Sequence, residues 1–443
     1  MINIIEWGDI TMSEKKLVRE QLSEGVTFSS VRDEKFRHNS VSIHMIAELS
    51  PEKAAATAIL PYLLRKGSSR YPDFTLLEQQ LCELYGASLS SDIVRYGQYH
   101  IVSCGITFID DSYTLDKEVI SDRCADLLGD MVLSPKITAG AFDAEDFKLE
   151  QQNLIDTIEA EINDKRTYAI NRCRTMMLEG TVLATPKYGT VEAARALTPE
   201  AAAERYSELV DTAQVEIIFV GCGDPTAAKE KFRGLFAGRT RHPVKVPSQA
   251  VTERAGILKE LTQEMEVAQG KLCIGMRTGK LASKADVDAT KVMAALYGGT
   301  TTSRLFLNVR EKLSLCYYCA ARFDRATGIL MVDSGVEKQN KDKAQTAILE
   351  QLSILAKGDF TADELTETKL ACINGIRSTK DSLSATESWY LVQILEGTDY
   401  SPDDEVAAME AVTMEAVTAA AARVTTDSIY FLCGNKEASK DEE

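Results

Sequence analysis

GGTTTSRLFLNVREKLSLCYY, residues 298–318, is the stretch on which the reading of the whole chain turns. Two glycines and a run of Thr and Ser lead into a short amphipathic helix, with Leu305, Val309 and Leu313 at helical spacing. Past Ser314 the chain enters a β-prone segment, residues 315–320. Arg310 stands in the last turn of the helix and Tyr317 just inside the strand. A cation and a phenol thus flank one helix-to-strand corner, from which both can reach a bound chain. Alone, an Arg on a helix surface and a Tyr in a strand are ordinary, so the weight of this corner depends on what surrounds it.

Upstream, residues 1–25 read as an extended lead-in, followed by a hairpin of strands at 25–32 and 41–49. Ser50-Pro51-Glu52 signals a helix start, with Ser as N-cap, Pro at the first position and an acid in the first turn; the helix runs to about Lys66, before Gly67. Thr75 to Glu78 reads as a capping box opening a second helix, and residues 87–108 as two strands turning near Gly97. Helical patterns fill 114–133 and 143–161, a capped helix starts at Thr198-Pro199-Glu200, and QVEIIFV at 214–220 is a buried-type strand. Residues 226–254, with Arg239, Arg241, His242, Lys245 and few large apolar side chains, read as a linker. Beyond it come strands at 271–276, 317–321 and 328–335, and helices at 286–296, 302–312 and 340–356. A capped helical run from Thr361, a capped helix near Met414 and a strand at 428–433 complete the chain.

The second series repeats the first. Residues 193–200 line up with 408–415, an offset of 215, and 219–223 with 430–434, an offset of 211; Leu77, Leu81 and Tyr85 fall against Leu305, Val309 and Leu313. The fold class expected is therefore α+β: two homologous domains, each a mostly antiparallel mixed sheet with helices packed on one face. The divisions expected are a lead-in at 1–24, a first domain at 25–225, a linker at 226–254, a second domain at 255–437 and an acidic tail at 438–443.

Composition excludes several classes. The formal charge of −17 and pI near 4.9 argue against binding nucleic acid, which relies on clustered Lys and Arg. No apolar run reaches the length of a membrane span, and MINIIEWGDITMSEKK lacks the pattern of a signal peptide, so a cytoplasmic location is expected. The ten cysteines lack framework spacing and read as reduced; in the single CxxC, Cys316 and Cys319 would point to opposite faces of a strand. The four histidines, His38, His44, His100 and His242, include no pair at i, i+3 or i, i+4, so no zinc clamp is expected. Gly221-Cys-Gly223 lacks the third glycine of a dinucleotide loop, the 298–303 loop has no P-loop Lys, and Trp389 reads as core.

The twofold α+β repeat with SRLFLNVREKLSLCYY in its second half resembles the pitrilysin/insulinase family of zinc peptidases: Ser303-Arg304-Leu305-Phe306, Arg310-Glu311-Lys312 and Tyr317 all match that pattern. The likeness covers residues 20–436. Within the family the chain is similar to short two-domain bacterial members that work in pairs, including the zinc-lacking partner of paired Firmicutes proteins associated with elongation factor P modification. The family's zinc is held by HxxEH and a distant Glu in the first half. The resemblance puts Ala58, Pro61 and Tyr62 at the HxxEH positions and Thr157 at the distal ligand, so it implies no metal on this chain. It further implies that Arg310 and Tyr317 bind an extended peptide substrate and stabilise its oxyanion in trans. Zinc would then be expected only on a homologous HxxEH-bearing partner subunit. The alternative is a non-catalytic scaffold or peptide-binding protein of the same fold, for which a homodimer is an arrangement to consider.

Overall fold

A computed structural model describes residues 17–247 and 252–434; the tail at 438–443 and most of the lead-in lie outside them. The strands of the first half are β1 (Val18–Ser23), β2 (Val26–Arg32), β3 (His38–Glu48), β4 (Ser88–Tyr96), β5 (Tyr99–Ile109), a short ribbon of β6 (Ile137–Thr138) and β7 (Ala141–Phe142), and β8 (Gln214–Gly221). Those of the second are β9 (Lys259–Glu264), β10 (Gly270–Arg277), β11 (Cys319–Asp324), β12 (Ile329–Val336) and β13 (Thr425–Cys433). The first sheet has the order β1-β2-β8-β3-β5-β4 and the second β11-β12-β10-β13-β9.

The repeat is exact at the level of topology. The series β2-β8-β3-β5-β4 recurs as β9-β13-β10-β12-β11, with one parallel pair in each, β2 with β8 and β9 with β13, and antiparallel pairing elsewhere. The α+β class and its mostly antiparallel sheets thus stand as expected. The hairpin expected from residues 25–32 and 41–49 does not form, because β8 lies between β2 and β3 and pairs with both. The hairpin partner of β2 is β1, drawn from the lead-in and turning at Gly25.

The helices of the first half are α1 (Ala54–Leu64), α2 (Phe74–Glu83), α3 (Ser121–Leu133), α4 (Ala144–Ala160), α5 (Lys165–Leu178), α6 (Val191–Ala196), α7 (Pro199–Thr212) and α8 (Thr226–Phe236). Those of the second are α9 (Lys284–Ala294), α10 (Lys341–Ala356), α11 (Ala362–Thr379), α12 (Leu383–Leu395), α13 (Pro402–Ala411) and α14 (Met414–Arg423). Three helix starts differ from the sequence reading; the helix expected from residue 114 forms only at Ser121, beyond the left-handed Asp116 and Lys117. α1 opens three residues past Pro51 without a side-chain cap, because the Ser50 hydroxyl donates to Glu52 at 2.6 Å instead. α2 is capped by Asp73, whose carboxylate accepts from the Leu76 N–H, and not by Thr75. The linker expected from residue 226 begins with α8, whose Phe232 and Phe236 are buried against the first half; the basic, proline-containing part follows it.

Each sheet packs most of its own helices on one face, through Ile43, Ile217 and Phe219 in the first half and Ile274, Ile429 and Phe431 in the second. The opposite face receives a helix from the other half. α5 brings Ala169, Cys173 and Met177 against Cys273, Met331, Tyr430 and Leu432 of the second sheet. Reciprocally, α12 lays Tyr390 and Leu391 on Val31, Ile218 and Val220 of the first. Polar contacts lock both crossings: Arg166 of α5 pairs with the buried Asp333 of β12, and Glu387 of α12 meets the buried His44 of β3 at 3.2 Å. Among the described residues no helix is long and apolar enough to cross a membrane.

Candidate functional site

The positions that the family resemblance assigns to zinc are built from groups that cannot bind it. Ala58 has no exposed surface and belongs to the first core, among Ile59, Leu60 and Leu63. Pro61 sits inside α1, which continues past it to Leu64 although proline supplies no N–H there. Tyr62 is half-buried with Tyr188 and Asp92 beside its hydroxyl, and burial pushes the phenol well above its ordinary range. On α4, Thr157 is exposed and its hydroxyl donates back to the Asn153 carbonyl at 2.7 Å. The nearby acids are engaged: Asp156 accepts from Gln152 and Glu159 pairs with Arg195, each at 2.7 Å. Zinc requires about four N, S or O ligands converging on one point. Among the described residues no cluster of three or more His, Cys, Asp or Glu could hold a metal ion. The donor set does not fit the family's metal, and no step is routed through one on this chain.

The helix-to-strand corner of residues 298–318 is irregular throughout. Its expected α-helix is wound wider, as a π-helix over Leu305–Lys312, with the Leu313 N–H donating to the Asn308 carbonyl. A second π turn, Ala295–Gly299, precedes it. π segments of this kind cluster at functional sites, because the wider winding re-aims side chains at some cost in hydrogen-bond geometry. Ser314, between Arg310 and Tyr317, has φ +49°, a left-handed conformation that a non-glycine residue rarely adopts. Leu305 and Val309 anchor the helix in the second core, and Arg304 ties it to α11 through Glu364 at 3.0 Å.

Arg310 and Tyr317 point away from that anchoring. The Arg310 guanidinium lies over the Phe306 ring at 4.5 Å, and among the described residues its only ion pair is with the adjacent, exposed Glu311 at 3.3 Å. Tyr317 is 68% exposed. Its backbone N–H donates to the Gly335 carbonyl, which fixes the residue ahead of β11; it does not lie inside that strand. The neighbouring Tyr318 turns inward, under the Arg166 guanidinium of α5.

Cys316 also lies ahead of β11, so strand alternation does not separate it from Cys319. The Cys319 thiol holds Cys316 down to about 7; burial opposes that shift, while Ser334 and Arg310 reinforce it. Cys319 is pushed the other way by the same contact and by burial. Sequence alternation missed this pairing because the strand starts later than the composition implies.

A cavity of about 950 Å³ opens beside the degenerate metal positions, lined by Thr157 of α4, by α5 and by residues 183–189. Neither Arg310 nor Tyr317 lines it. Within this chain, the structure does not bring the two groups of site residues into one cavity.

Residues 196–372 match the family described as "Peptidase M16 inactive domain". The chain is 30% identical over 415 residues to the "Probable inactive metalloprotease YmfF" of Bacillus subtilis, covering 94% of this chain and 97% of that protein. It is 25% identical over 175 residues, 38% of this chain and 42% of that protein, to the "Uncharacterized zinc protease YmxG" of the same organism. Among solved structures, a conserved protein from Enterococcus faecalis superposes with a TM-score of 0.88 at 26% identity, over 96% of this chain and all of that one. The chain belongs to the M16 (pitrilysin/insulinase) peptidase family, as an inactive homologue of its metallopeptidases.

Proposed function

We propose that the chain is the non-zinc subunit of a heterodimeric peptidase, presenting Arg310 and Tyr317 to a zinc-bearing partner of the same family. One observation carries this reading: Arg310 and Tyr317 face outward from a π-wound corner with no buried acceptor among the described residues, while the zinc positions of the same chain are filled by Ala, Pro, Tyr and Thr. The similarity to two relatives of one organism, one named a probable inactive metalloprotease and the other, over 38% of this chain, an uncharacterized zinc protease, supports a division of labour between two chains. In the paired site the guanidinium and the phenol donate hydrogen bonds to the carbonyl oxygen of an extended peptide as it gains negative charge. Zinc and the general base come from the partner. Removing one such donor costs about a hundred- to a thousandfold in rate.

The test is co-expression with a zinc-bearing family member from the same host, followed by peptide cleavage assays. R310A/Y317F should leave the complex assembled and lower turnover by about a hundredfold or more. Undiminished turnover by the intact double-variant complex would overturn the proposal. A second reading, a peptide-binding scaffold without any hydrolytic partner, is favoured by the cavity beside Thr157 and by β4, an edge strand paired, among the described residues, only with β5 and so open to an added strand. That reading expects peptide binding by the chain alone and no dependence of any hydrolysis on Arg310.

A further inference from the structure

The cavity beside α4 and α5 runs against the charge of the chain. The protein carries −17 overall, yet four cations line this space: Arg95, Arg172, Arg174 and Lys187. The two carboxylates at its wall are already taken, Glu159 by Arg195 and Glu161 by the Asn171 amide at 2.9 Å. The cations are poorly matched. Arg172 makes no ion pair or hydrogen bond among the described residues, and the Lys187 ammonium lies over the Tyr188 ring at 4.3 Å with no carboxylate beside it. Arg174 reaches Asp324 at 3.4 Å but leaves its buried Nε without a partner. Among the described residues Arg95 donates its hydrogen bonds to backbone carbonyls, those of Gly97, Leu183 and Thr185, with the Asp324 charge also acting on it. Burial pushes Arg95 down to about 10, and the neighbouring Arg174 charge adds to the shift.

Arg95 and Arg174 stand half-buried with Asp324 as their shared carboxylate and Arg172 exposed at the rim, so an entering anion gains from several cations at once, and arginine forks suit carboxylates in particular. Apolar side chains stand among the cations, Ile158 from the last turn of α4, Ile162 just beyond that helix and Tyr168 from α5. A volume of about 950 Å³ admits several residues of a peptide. We propose that this cavity binds an acidic peptide segment, its carboxylates received by Arg172, Arg174 and Lys187 and its apolar side chains by Ile158, Ile162 and Tyr168. The assignment rests on the peptide-binding part of the functional reading and is independent of Arg310, Tyr317 and any partner chain.

The experiment uses the full chain alone, with fluorescein-labelled oligoglutamate, oligolysine and glycine-serine peptides of equal length read by fluorescence anisotropy. Oligoglutamate should bind at low ionic strength, and added salt should weaken it, since exposed charges are screened over about 10 Å at 0.1 M. R172E/K187E should weaken that binding by about tenfold or more, because two attracting charges are replaced by two repelling ones. K343E, on the exposed side of α10 in the other half, should leave it unchanged, and unaltered thermal melting would show that both variants fold. Equal affinity for the glycine-serine peptide would remove the acidic preference while leaving peptide binding standing. Full-strength oligoglutamate binding by R172E/K187E, or affinity no greater than for free glutamate, would overturn the proposal.

Discussion

Gly275, in the middle of β10, lies directly beneath Met177 of α5, so closely that a Cβ at Gly275 would overlap the Met177 sulfur. The helix from one half is thus seated on the sheet of the other at a point where only a hydrogen atom fits.

Gly275→Val should destabilise the protein by about 3 kcal/mol, the upper range for overpacking a tight core. Met177→Ala should restore part of that loss, because the two side chains compete for one volume. Urea unfolding of the single and double variants would measure the coupling as a double-mutant cycle. Additive effects would show that the close approach is relaxed elsewhere.

Acid should weaken the first half through His100. This residue is 1% exposed, its Nε2 donates to the Lys187 carbonyl at 2.9 Å, and burial lowers its pKa from 6.5 to about 4. The folded state keeps His100 neutral where the unfolded chain takes up a proton. Its contribution is therefore fully present above pH 6.5, falls as pH drops from 6.5 to about 4, and is constant below that. The whole span corresponds to about 3 kcal/mol. Thermal melts of His100→Gln across this range should lose that part of the pH dependence; an unchanged profile would assign the acid sensitivity to other groups.

The Arg310 charge should be felt at Cys316. The guanidinium is one of three groups favouring the thiolate of Cys316, after the Cys319 thiol and Ser334. Arg310→Ala should therefore move the midpoint of Cys316 alkylation to higher pH, and Cys319→Ala should move it further. Site-resolved mass spectrometry after iodoacetamide labelling separates Cys316 from the exposed Cys82. An unmoved midpoint in Arg310→Ala would mean that the guanidinium spends its time away from the thiol.

Reinstalling metal ligands should fail. In A58H/P61E/Y62H/T157E the imidazole at position 58 enters a site with no free surface, among Ile59, Leu60 and Leu63. Overpacking of this kind costs about 1–3 kcal/mol. The variant should melt at lower temperature and carry no stoichiometric zinc by elemental analysis. One zinc per chain would show that the ancestral geometry survives beneath the substitutions.

Much of this fold was legible because local chemistry and tertiary context agree. QVEIIFV reads as a buried strand since Ile217 and Phe219 face one core while Ile218 and Val220 face α12, leaving no solvent side to require polar residues. Thr198 and Thr413 cap equivalent helices in the two halves, each accepting from the N–H three residues on at 3.2 Å, which made the internal repeat readable from a few letters. What escaped was non-local. α5 drew no expectation, because its buried face of Ala169, Cys173 and Met177 is small and sulfurous in an otherwise polar sequence, and only the far sheet makes it a core face. The insertion of β8 between β2 and β3 depends on a pairing nearly 200 residues away, which proximity in sequence argues against. At the corner of residues 298–318 the side chains could be named, but neither the π winding nor the left-handed Ser314 has a signature in residue type.

The crossing of α5 and α12 has a mechanical consequence. Each half lends the other a cover, so drawing the halves apart would strip Cys273, Tyr430 and Leu432 on one side and Ile218 and Val220 on the other at the same moment. Separating the halves exposes two apolar faces to water at once, which ties the stability of each half to the other and favours melting as a single transition.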